Sequence, residues 1–444
     1  MIPTRELHGW GRYPRRPGPV LEARDEAELC RALRDGGVIA RGNGRSYGDS
    51  AMGAALTLDV RRMDRMLSFD AETGQLVAEA GVLLGDVISV CLPRGWFPAV
   101  TPGTKFVTLG GAIAADVHGK NHHRDGSFGA FVDWVDVLGA DGQVTRASRG
   151  GNSDLFAWTV GGMGLTGVIL RAAIRLRPVE SGWIRQETIP ARDLSAAMAA
   201  FDDADSATYS VAWIDCLASG ADLGRSIVML GEHAAASELP SVYRARRFET
   251  PTRRALGVPF DAPAAMLNRR SVQAFNAVYW AGGKRGAGAS LVGWDKYFYP
   301  LDAILGWNRI YGRRGFLQFQ CVLPLTRAEA GLRALLETTA RAGQGSFLAV
   351  LKRLGLQESR FSFPCDGYTL ALDFPANDAT LALLDRLDAI TLDHGGRFYL
   401  AKDARMSAQT LHRADPRAAQ LRQMRREQGL DLAFASAQSE RLML

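Results

Sequence analysis

The chain has 444 residues, of which 47% are hydrophobic and 23% are charged, a composition typical of soluble globular proteins. One compact core seldom reaches this length, so we expect two domains. The formal net charge of +6 indicates either an ordinary basic surface or attraction to an anionic ligand or lipid surface. The five cysteines are widely spaced and include no Cys-x-x-Cys pair, which argues against a disulfide framework, a zinc site or an iron–sulfur site.

The N-terminal residues contain no apolar signal core, and no apolar run reaches about 18 residues. The sequence therefore predicts no transmembrane helix. We expect a protein that is cytoplasmic or peripheral to the inner membrane.

The first distinctive feature is a glycine-rich loop. Residues 20–36 predict a strand end and then an amphipathic helix, with Asp25 as its N-cap and Gly36 as its stop. After a short apolar strand, residues 41–49 combine three glycines with Arg, Asn and Ser. The backbone N–H groups of such a loop can face a pyrophosphate, although a tight turn would also use these glycines. The loop matches neither the Rossmann pattern nor a P-loop.

A second glycine-rich stretch, residues 107–123, is the most informative part of the chain. Strands at residues 56–60 and 75–81 and a helix at residues 83–92 are predicted before it. The stretch begins apolar, with adjacent glycines that let a backbone approach a ligand closely, and it ends with three of the seven histidines. We interpret it as a cofactor-lining segment that delivers polar groups to a reactive ring.

The pattern changes near residue 180, where Pro178, Ser181 and Gly182 indicate a domain boundary. Beyond it, alternating strands and amphipathic helices predict an α+β fold, with an antiparallel sheet and helices on one face. The predicted strands are residues 208–215, 316–324, 346–352 and 368–375, and the predicted helices are residues 327–342 and 378–393.

Residues 244–290 form a basic segment in which apolar and aromatic residues are interleaved. Its basic residues are Arg244, Arg246, Arg247, Arg253, Arg254, Arg269, Arg270, Lys284 and Arg285. Only Glu249 and Asp261 oppose them. Such a segment suits an anionic membrane surface or the cover of a lipid-phosphate substrate, whereas a mobile surface insertion is the alternative. No nucleic-acid recognition motif accompanies the charge.

Three blocks of sequence together resemble the FAD-binding domain of the vanillyl-alcohol-oxidase and p-cresol-methylhydroxylase (VAO/PCMH) superfamily. They are residues 41–49, 102–123 and 160–167. More narrowly, stretches along the whole chain are similar to the decaprenylphosphoryl-β-D-ribose 2′-oxidase family, the flavin half of a ribose-to-arabinose epimerase. These stretches include residues 118–123, 307–312, 315–320 and 401–405.

The resemblance implies an FAD-binding domain formed by residues 1–180 and 398–444, around a substrate-binding domain at residues 181–397. The implied cofactor-binding residues are Ala40, Arg41, Gly42, Asn43, Gly44, Arg45, Ser46, Tyr47, Gly48, Gly103, Thr108, Leu109, Gly110, Gly111, Ala115, His118, Ile169 and Tyr399. Several superfamily members attach the flavin to a histidine of the first loop. The aligned residue here is Arg45, so non-covalent FAD is predicted.

The resemblance also implies Lys402, His118 and Tyr47 as catalytic residues. Lys402 matches an essential lysine that hydrogen-bonds the sugar hydroxyl or stabilises the reduced ring. His118 would act as a base or a ring-positioning group, and Tyr47 is either near the sugar or a packed aromatic residue. No metal is expected, because Gly119 disfavours a helical histidine pair and no carboxylate ligand follows.

The implied substrate-binding residues are Lys120, Trp213, Arg309, Gln318, Gln320, Lys352, Thr369 and Ala371. The two glutamines alternate with apolar residues, so both project from one strand face. Lys352 is expected to meet the lipid phosphate. The family's reactive cysteine aligns with Ala371, its neighbouring asparagine with Thr369, and Phe298 replaces a family tyrosine. These departures bear on which sugar or prenyl length the pocket accepts.

The expected activity is FAD-dependent oxidation of the 2′-hydroxyl of a polyprenylphosphoryl ribose to the 2′-keto sugar, the first half of epimerisation to arabinose. A separate NADH-dependent reductase would complete it. The alternative enzyme is an FAD-dependent oxidase or dehydrogenase of another sugar or alcohol, with oxygen as acceptor. A non-catalytic flavoprotein is the third interpretation. Peripheral membrane contact is expected, and a nucleic-acid partner is not.

Overall fold

The computed structural model describes residues 2–251, 254–263 and 266–444. Its first ten strands are β1 (Thr4–His8), β2 (Arg15–Glu22), β3 (Val38–Arg41), β4 (Leu56–Asp59), β5 (Met66–Phe69), β6 (Gln75–Glu79), β7 (Trp96–Pro98), β8 (Val132–Leu138), β9 (Val144–Ser148) and β10 (Val168–Pro178). They form a sheet with the order β1-β2-β4-β3 and an antiparallel sheet with the order β5-β6-β10-β8-β9, in which β7 also pairs with β10. Strand β4 pairs in parallel with both β2 and β3.

The second half of the chain contributes the larger sheet. Its strands are β11 (Trp183–Ala191), β12 (Tyr209–Ile214), β13 (Ser226–His233), β14 (Leu256–Gly257), β15 (Gly288–Gly293), β16 (Ile304–Leu305), β17 (Phe316–Pro324), β18 (Ala349–Leu354), β19 (Gly367–Pro375) and β20 (Arg397–Phe398). Eight of them form one antiparallel sheet with the order β15-β11-β13-β12-β18-β19-β17-β20. Strands β14 and β16 form a separate parallel pair.

The α-helices of the described residues are α1 (Glu26–Ala32), α2 (Leu84–Cys91), α3 (Leu109–Ala114), α4 (His122–Asp125), α5 (Ser153–Thr159), α6 (Leu194–Asp203), α7 (Ser241–Arg244), α8 (Arg269–Arg285), α9 (Trp294–Phe298), α10 (Leu325–Ala342), α11 (Asp378–Asp393), α12 (Ala408–Ala414), α13 (Arg417–Glu427), α14 (Leu430–Ala433) and α15 (Ala437–Leu442). Within the described ranges, no helix combines the length and apolarity that a membrane crossing requires.

Side-chain alternation divides the eight-stranded sheet into a core face and a cavity face. On β12, Ala212 and Ile214 project into a core that α6, α10 and α11 cover. Trp213, between them, projects to the opposite face. There Tyr279 of α8 packs against it, with 4.6 Å between the ring centres. One face of the sheet is therefore a conventional core, and the other is available to a ligand.

The C-terminal helices pack beside the first sheet. Phe434 forms an isolated bridge with Val38, and Ser436 forms one with Gly53. Arg425, a fully buried arginine of α13, joins these helices to the segment before β10, because it donates hydrogen bonds to the backbone carbonyls of Leu430 and Leu165. The domain boundaries at residues 180 and 398 stay a prediction.

The predicted α+β class is confirmed. Asp25 caps α1 by accepting a hydrogen bond from the Glu28 amide at 2.8 Å, and Gly36 follows with a φ of 67°. The predicted bounds of β17 and α11 are reproduced, whereas β18 begins three residues later than expected. The reason is a local turn in which the Ser346 hydroxyl donates to a backbone carbonyl two residues ahead.

The basic segment contains α8, the short strand β14 and the start of β15. Helix α8 is anchored to the large sheet because Asn276 Nδ2 donates to the Asp215 carboxylate at 2.6 Å. One predicted basic residue of the segment, Arg253, lies outside the described residues.

Candidate active site

A cavity of about 380 Å³ lies between the first glycine loop, helix α3 and the cavity face of the large sheet. Three parts of the chain that are distant in sequence meet there, namely the N-terminal loops, strands β12 and β17–β19, and the segment after β20. Every residue predicted for the site lines this cavity except four, which are Arg41, Gly48, Leu109 and Arg309.

Three of these exceptions support the cavity wall from behind. The Arg41 guanidinium donates to the backbone carbonyls of His8 at 2.7 Å and Ala51 at 3.1 Å, so it closes the loop instead of facing the cavity. Gly48 packs against a carbonyl oxygen that a Cβ would approach to 2.0 Å. Leu109 is fully buried in the core beneath α3.

Arg309 belongs to an ion cluster outside the cavity. Its Nε lies 3.4 Å from an Asp261 oxygen, and its Nη1 donates to the Val258 carbonyl. Asp261 also accepts two hydrogen bonds from Arg12, at 2.6 Å and 3.2 Å. The cluster therefore ties the basic segment to the N-terminal loop. We expect Arg309 to stabilise this link and not to contact the substrate.

The first glycine loop presents its backbone and one unsatisfied donor to the cavity. Residues 42–47 all line it, and Asn43 braces the loop by donating to the Phe106 carbonyl at 2.9 Å. The Arg45 guanidinium lies 4.1 Å from the centre of the Trp10 ring. Its Nε is buried and has no hydrogen-bond partner among the described residues. A buried donor left unpaired is costly, so this position fits an oxygen of a bound polar ligand.

Helix α3 packs closely against the glycine loop. Thr108 caps the helix by accepting a hydrogen bond from the Gly111 amide at 3.3 Å. A Cβ at Gly42 would come within 2.1 Å of the Thr108 hydroxyl, and a Cβ at Gly110 within 2.8 Å of Ala80. Only glycine permits these approaches. The adjoining wall is apolar, so loop and wall together fit a ligand with a charged diphosphate and a flat ring, as FAD has.

His118 is held at the centre of the cavity by side chains of the large sheet. Its Nε2 lies 3.0 Å from Gln320 Nε2, which also donates to Thr369 Oγ1 at 3.2 Å. With the amide in this orientation the imidazole accepts, so its ring proton is on Nδ1, which has no partner in the described part of the chain. Burial, together with the charge of Lys352, holds the pKa of His118 well below its usual range. The imidazole is therefore neutral and a weak base.

The other two histidines of this stretch make structural hydrogen bonds. His122 Nε2 bonds to Gln357 Oε1 at 2.7 Å, and its Nδ1 accepts from the Gly355 amide at 3.1 Å. His123 Nε2 bonds to the Ala207 carbonyl at 2.9 Å. Among the described residues, no group of three His, Cys, Asp or Glu side chains is arranged to hold a metal ion.

Three lysines converge on the cavity, and burial lowers the pKa of each. Lys120 lies 4.0 Å from the centre of the Tyr297 ring and donates to the Tyr297 carbonyl, and burial lowers its pKa to about 7. The pKa of Lys352 falls to about 8 and that of Lys402 to about 7, again because of burial. Within the described ranges, neither Lys120 nor Lys352 forms a salt bridge.

The segment after β20 places Lys402 beside the first loop. The Tyr47 amide donates to the Ala401 carbonyl at 2.9 Å, which joins the two segments. Lys402 Nζ lies 3.7 Å from the centre of the Tyr47 ring. Tyr399 stands on the other side of the cavity wall, where its hydroxyl donates to the Ala115 carbonyl at 3.0 Å. Tyr47 is thus both a packed aromatic residue and a neighbour of Lys402.

Sequence reasoning missed several residues of the site. Tyr279 lines the cavity from the basic segment, where no local pattern marks it, whereas Phe298, already noted as a departure from the family, lines it from α9. Asp373 follows Thr369 and Ala371 on the same face of β19. The sequence signal for Asp373 is an acidic residue in an otherwise apolar strand, two residues after Ala371 and therefore on the same face.

The comparisons with known proteins agree with this geometry. A family model described as an FAD binding domain matches residues 17–148. The chain is 37% identical to the decaprenylphosphoryl-β-D-ribose oxidase of Mycolicibacterium smegmatis, over 99% of this chain and 98% of that protein. It is 29% identical to the L-gulonolactone oxidase of Mus musculus and 28% identical to cytokinin dehydrogenase 2 of Arabidopsis thaliana. These matches cover 36% and 38% of this chain, and 36% of each relative.

The fold and the cavity, with the matched FAD-binding domain, define an FAD-dependent oxidoreductase of the PCMH type. FAD is its cofactor, in agreement with the unsatisfied Arg45 donor and the glycine-lined cleft. Because the similarity extends over nearly the whole length of both proteins, the chain belongs to the decaprenylphosphoryl-β-D-ribose oxidase family. The resemblance drawn from the sequence is confirmed.

Proposed function

We propose that this enzyme oxidises the 2′-hydroxyl of a polyprenylphosphoryl ribose to the 2′-keto sugar, the first half of an epimerisation to arabinose. The observation that carries this proposal is a pair of partly buried lysines, Lys120 and Lys352, which face a largely apolar cavity and form no salt bridge within the described residues. Buried cations require a counter-charge, and a substrate phosphate supplies one. A prenyl chain would in turn cover the aromatic wall formed by Trp213 and Tyr279.

The proposed roles follow from position in the cavity. FAD, when bound, supplies the acceptor for the hydride that leaves the sugar carbon. Lys402 and Tyr47 meet the reacting hydroxyl, because they lie together where the first loop meets the large sheet. Gln318 and Gln320 orient the sugar from β17. His118, a neutral and weakly basic imidazole, positions Gln320 and does not remove the proton.

We also propose that FAD is held without a covalent bond. The loop position that carries the flavin in covalent relatives is Arg45, whose guanidinium does not form such a bond under ordinary conditions. Arg45 stacks on Trp10, and its buried Nε has no hydrogen-bond partner among the described residues, which suits a polar cofactor atom. Acid precipitation should leave the yellow flavin in the supernatant. Flavin retained in the pellet would contradict this part of the proposal.

The basic segment is proposed to contact an anionic membrane surface, where a lipid-linked substrate resides. Large apolar side chains stand exposed there, with Leu256 at 65%, Phe260 at 64% and Val278 at 74% exposure. Arginines accompany them on the same segment, and such a mixture favours binding to anionic lipids. Tyr279, on the same helix as Val278, lines the cavity, so the surface adjoins the route of the prenyl chain.

Co-sedimentation with vesicles of anionic lipid tests this contact. Val278→Asp is expected to weaken binding several-fold, because it places a negative charge on the proposed surface. Leu432→Asp is the matched control, since Leu432 is 79% exposed on α14, outside the segment. Equal binding of the two variants would refute the surface.

A separate reductase is the proposed partner. Oxidation leaves a keto sugar, and epimerisation requires a hydride from a donor such as NADH to the opposite face of that carbon. We therefore propose that a separate NADH-dependent reductase consumes the product of this enzyme.

The central experiment adds polyprenylphosphoryl ribose to the purified holoenzyme without oxygen and records the visible spectrum. The lipid-linked sugar is expected to bleach the flavin, and Lys352→Met is expected to require a much higher substrate concentration. Soluble sugars and alditols are the control, because they lack the lipid phosphate. Bleaching by a soluble alcohol but not by the lipid-linked ribose would reject the proposed substrate in favour of another sugar or alcohol.

A further inference from the structure

Thr369 is a buried threonine of β19 whose hydroxyl hydrogen is committed to the backbone. The residue is 2% exposed, and its Oγ1 donates to the Cys321 carbonyl at 2.8 Å. A hydroxyl has one hydrogen, so Thr369 can only accept in a second hydrogen bond. The group that donates to it is Gln320 Nε2, at 3.2 Å. Thr369 therefore has no hydrogen to offer a substrate.

The Thr369 hydroxyl fixes the orientation of the Gln320 amide. Turning the amide over would place Gln320 Oε1 against Thr369 Oγ1, which brings two acceptors together without a hydrogen between them. Thr369 could relieve this contact only by giving up its hydrogen bond to Cys321. Either arrangement loses one buried hydrogen bond, so the Gln320 amino group stays on the side of Thr369.

The same amino group faces His118 and sets the tautomer of the imidazole. Gln320 Nε2 lies 3.0 Å from His118 Nε2 and brings a hydrogen, so His118 Nε2 is the acceptor. The ring proton is then on Nδ1, because the partner of one ring nitrogen determines the state of the other. The rings of Tyr399 and Phe363 pack against the imidazole, with 5.5 Å and 5.8 Å between the ring centres, and hold the ring in place.

This chain of hydrogen bonds gives the cavity a fixed pattern of one donor and one acceptor. His118 keeps its Nδ1–H, a buried donor without a partner in the described part of the chain. Both hydrogens of the Gln320 amino group are used, so Gln320 Oε1 is what remains for a ligand, and it accepts. Both side chains line the cavity. Bound ligands must therefore accept from His118 and donate to Gln320.

We propose that Thr369 is a positioning residue, which acts through Gln320 to keep His118 in the Nδ1–H tautomer. His118 thereby offers a donor to an acceptor atom of a bound ligand, whereas Gln320 accepts a hydrogen bond from a hydroxyl. The tautomer follows from the contacts of the protein alone. Only the assignment of the Gln320 oxygen to a hydroxyl of the sugar rests on the proposed function.

The test is 15N NMR of the holoenzyme with labelled histidine, because protonated and bare ring nitrogens give different shifts. The chain has seven histidines, and His118→Gln identifies the His118 signals by their loss. The wild type is expected to show a protonated Nδ1 and a bare Nε2. In Thr369→Val the hydroxyl is gone and the Gln320 amide is free to turn over. The ratio of the Nε2–H to the Nδ1–H tautomer is therefore expected to rise about fivefold or more, as the loss of one ordinary hydrogen bond allows.

Thr369→Ser keeps the hydroxyl and is expected to restore the wild-type signals. Thr339→Val is the matched control, since Thr339 is a buried threonine of α10 whose hydroxyl donates to the Leu335 carbonyl outside the cavity. It should leave the His118 signals unchanged. If Thr369→Val does not fold, Gln320→Glu replaces it. An ionised carboxylate only accepts, so this variant is expected to move the proton of His118 to Nε2.

A wild-type His118 that carries its proton on Nε2 would overturn the proposal, and so would wild-type signals in Thr369→Val. Neither result depends on a substrate, so failure of the proposed function is distinguishable. In that case the lipid-linked ribose would fail to bleach the flavin, while Thr369→Val still shifted the tautomer.

With the lipid-linked ribose as substrate, Thr369→Val is expected to raise KM about fivefold or more, because the Gln320 oxygen turns away from the sugar. Thr369→Ser should have a KM close to that of the wild type. A shifted tautomer with an unchanged KM would overturn the assignment of the Gln320 oxygen to the sugar.

Discussion

Replacing Lys352 by Met should stabilise the protein while impairing its proposed function. Lys352 projects from β18 into the cavity, where burial lowers its pKa from an ordinary value near 10.5 to about 8. The unfolded chain therefore binds this proton more readily than the folded chain between these two pH values. It follows that the stability of the wild type rises with pH across this window.

The size of the effect follows from the same shift. Each pKa unit corresponds to about 1.4 kcal/mol, so burying the charged lysine costs about 3 kcal/mol at pH 7. Methionine has a similar shape and no charge. Lys352→Met is therefore expected to raise the free energy of unfolding by up to about 3 kcal/mol at pH 7, with the gain fading towards pH 10.5.

Urea unfolding at pH 7 and pH 10, with saturating FAD, measures this difference. Lys296→Met is the control, because Lys296 is exposed on α9 and its removal should leave stability nearly unchanged at both pH values. Equal stability of Lys352→Met and the wild type at pH 7, or a gain that does not depend on pH, would refute the reasoning. The same variant should bind the lipid-phosphate substrate more weakly, since a buried cation is lost.

Three further substitutions test other parts of the site. Gly110→Ala places a Cβ 2.8 Å from the Ala80 side chain and is expected to destabilise the protein by about 1–3 kcal/mol, measured by urea unfolding; an unchanged midpoint would contradict the packing. Asp261→Asn weakens the link to Arg12, and trypsin is expected to cut the basic segment several-fold faster than in the wild type. Cutting at the wild-type rate would show that the ion cluster does not hold the segment. Ala371→Cys adds a thiol to a cavity that none of the five cysteines, all within the described residues, lines. Mass spectrometry should find that thiol alkylated in the variant, and equal labelling of the wild type would refute the position.

Much of the fold could be predicted from neighbours along the chain. Asp25 and Gly36 mark the ends of a helix because capping and positive φ depend on residues within one turn. The alternation around Gln318 and Gln320 predicts a strand with both amides on one face, and β17 has these bounds. Most of the site residues predicted from the glycine-rich stretches and from the family resemblance line one cavity.

Local patterns do not determine which way a polar side chain turns. Arg41 and Arg309 lie in segments that resemble the family, yet neither side chain lines the cavity. Arg41 instead donates to the His8 carbonyl, and Arg309 pairs with the Asp261 carboxylate. Tyr279 reaches the cavity only because α8 packs on the sheet through Asn276.

The sequence by itself determined the elements, the glycine loops and the FAD-binding class, since these depend on short-range spacing and on matched motifs. Only the tertiary structure decided that Tyr279 lines the cavity, and that Lys120 and Lys352 share it while forming no salt bridge within the described residues. The physical reason is that charge interactions and burial depend on strand register and on contacts between distant segments. A lysine has the same side chain in every sequence, and its protonation is set by the three-dimensional surroundings.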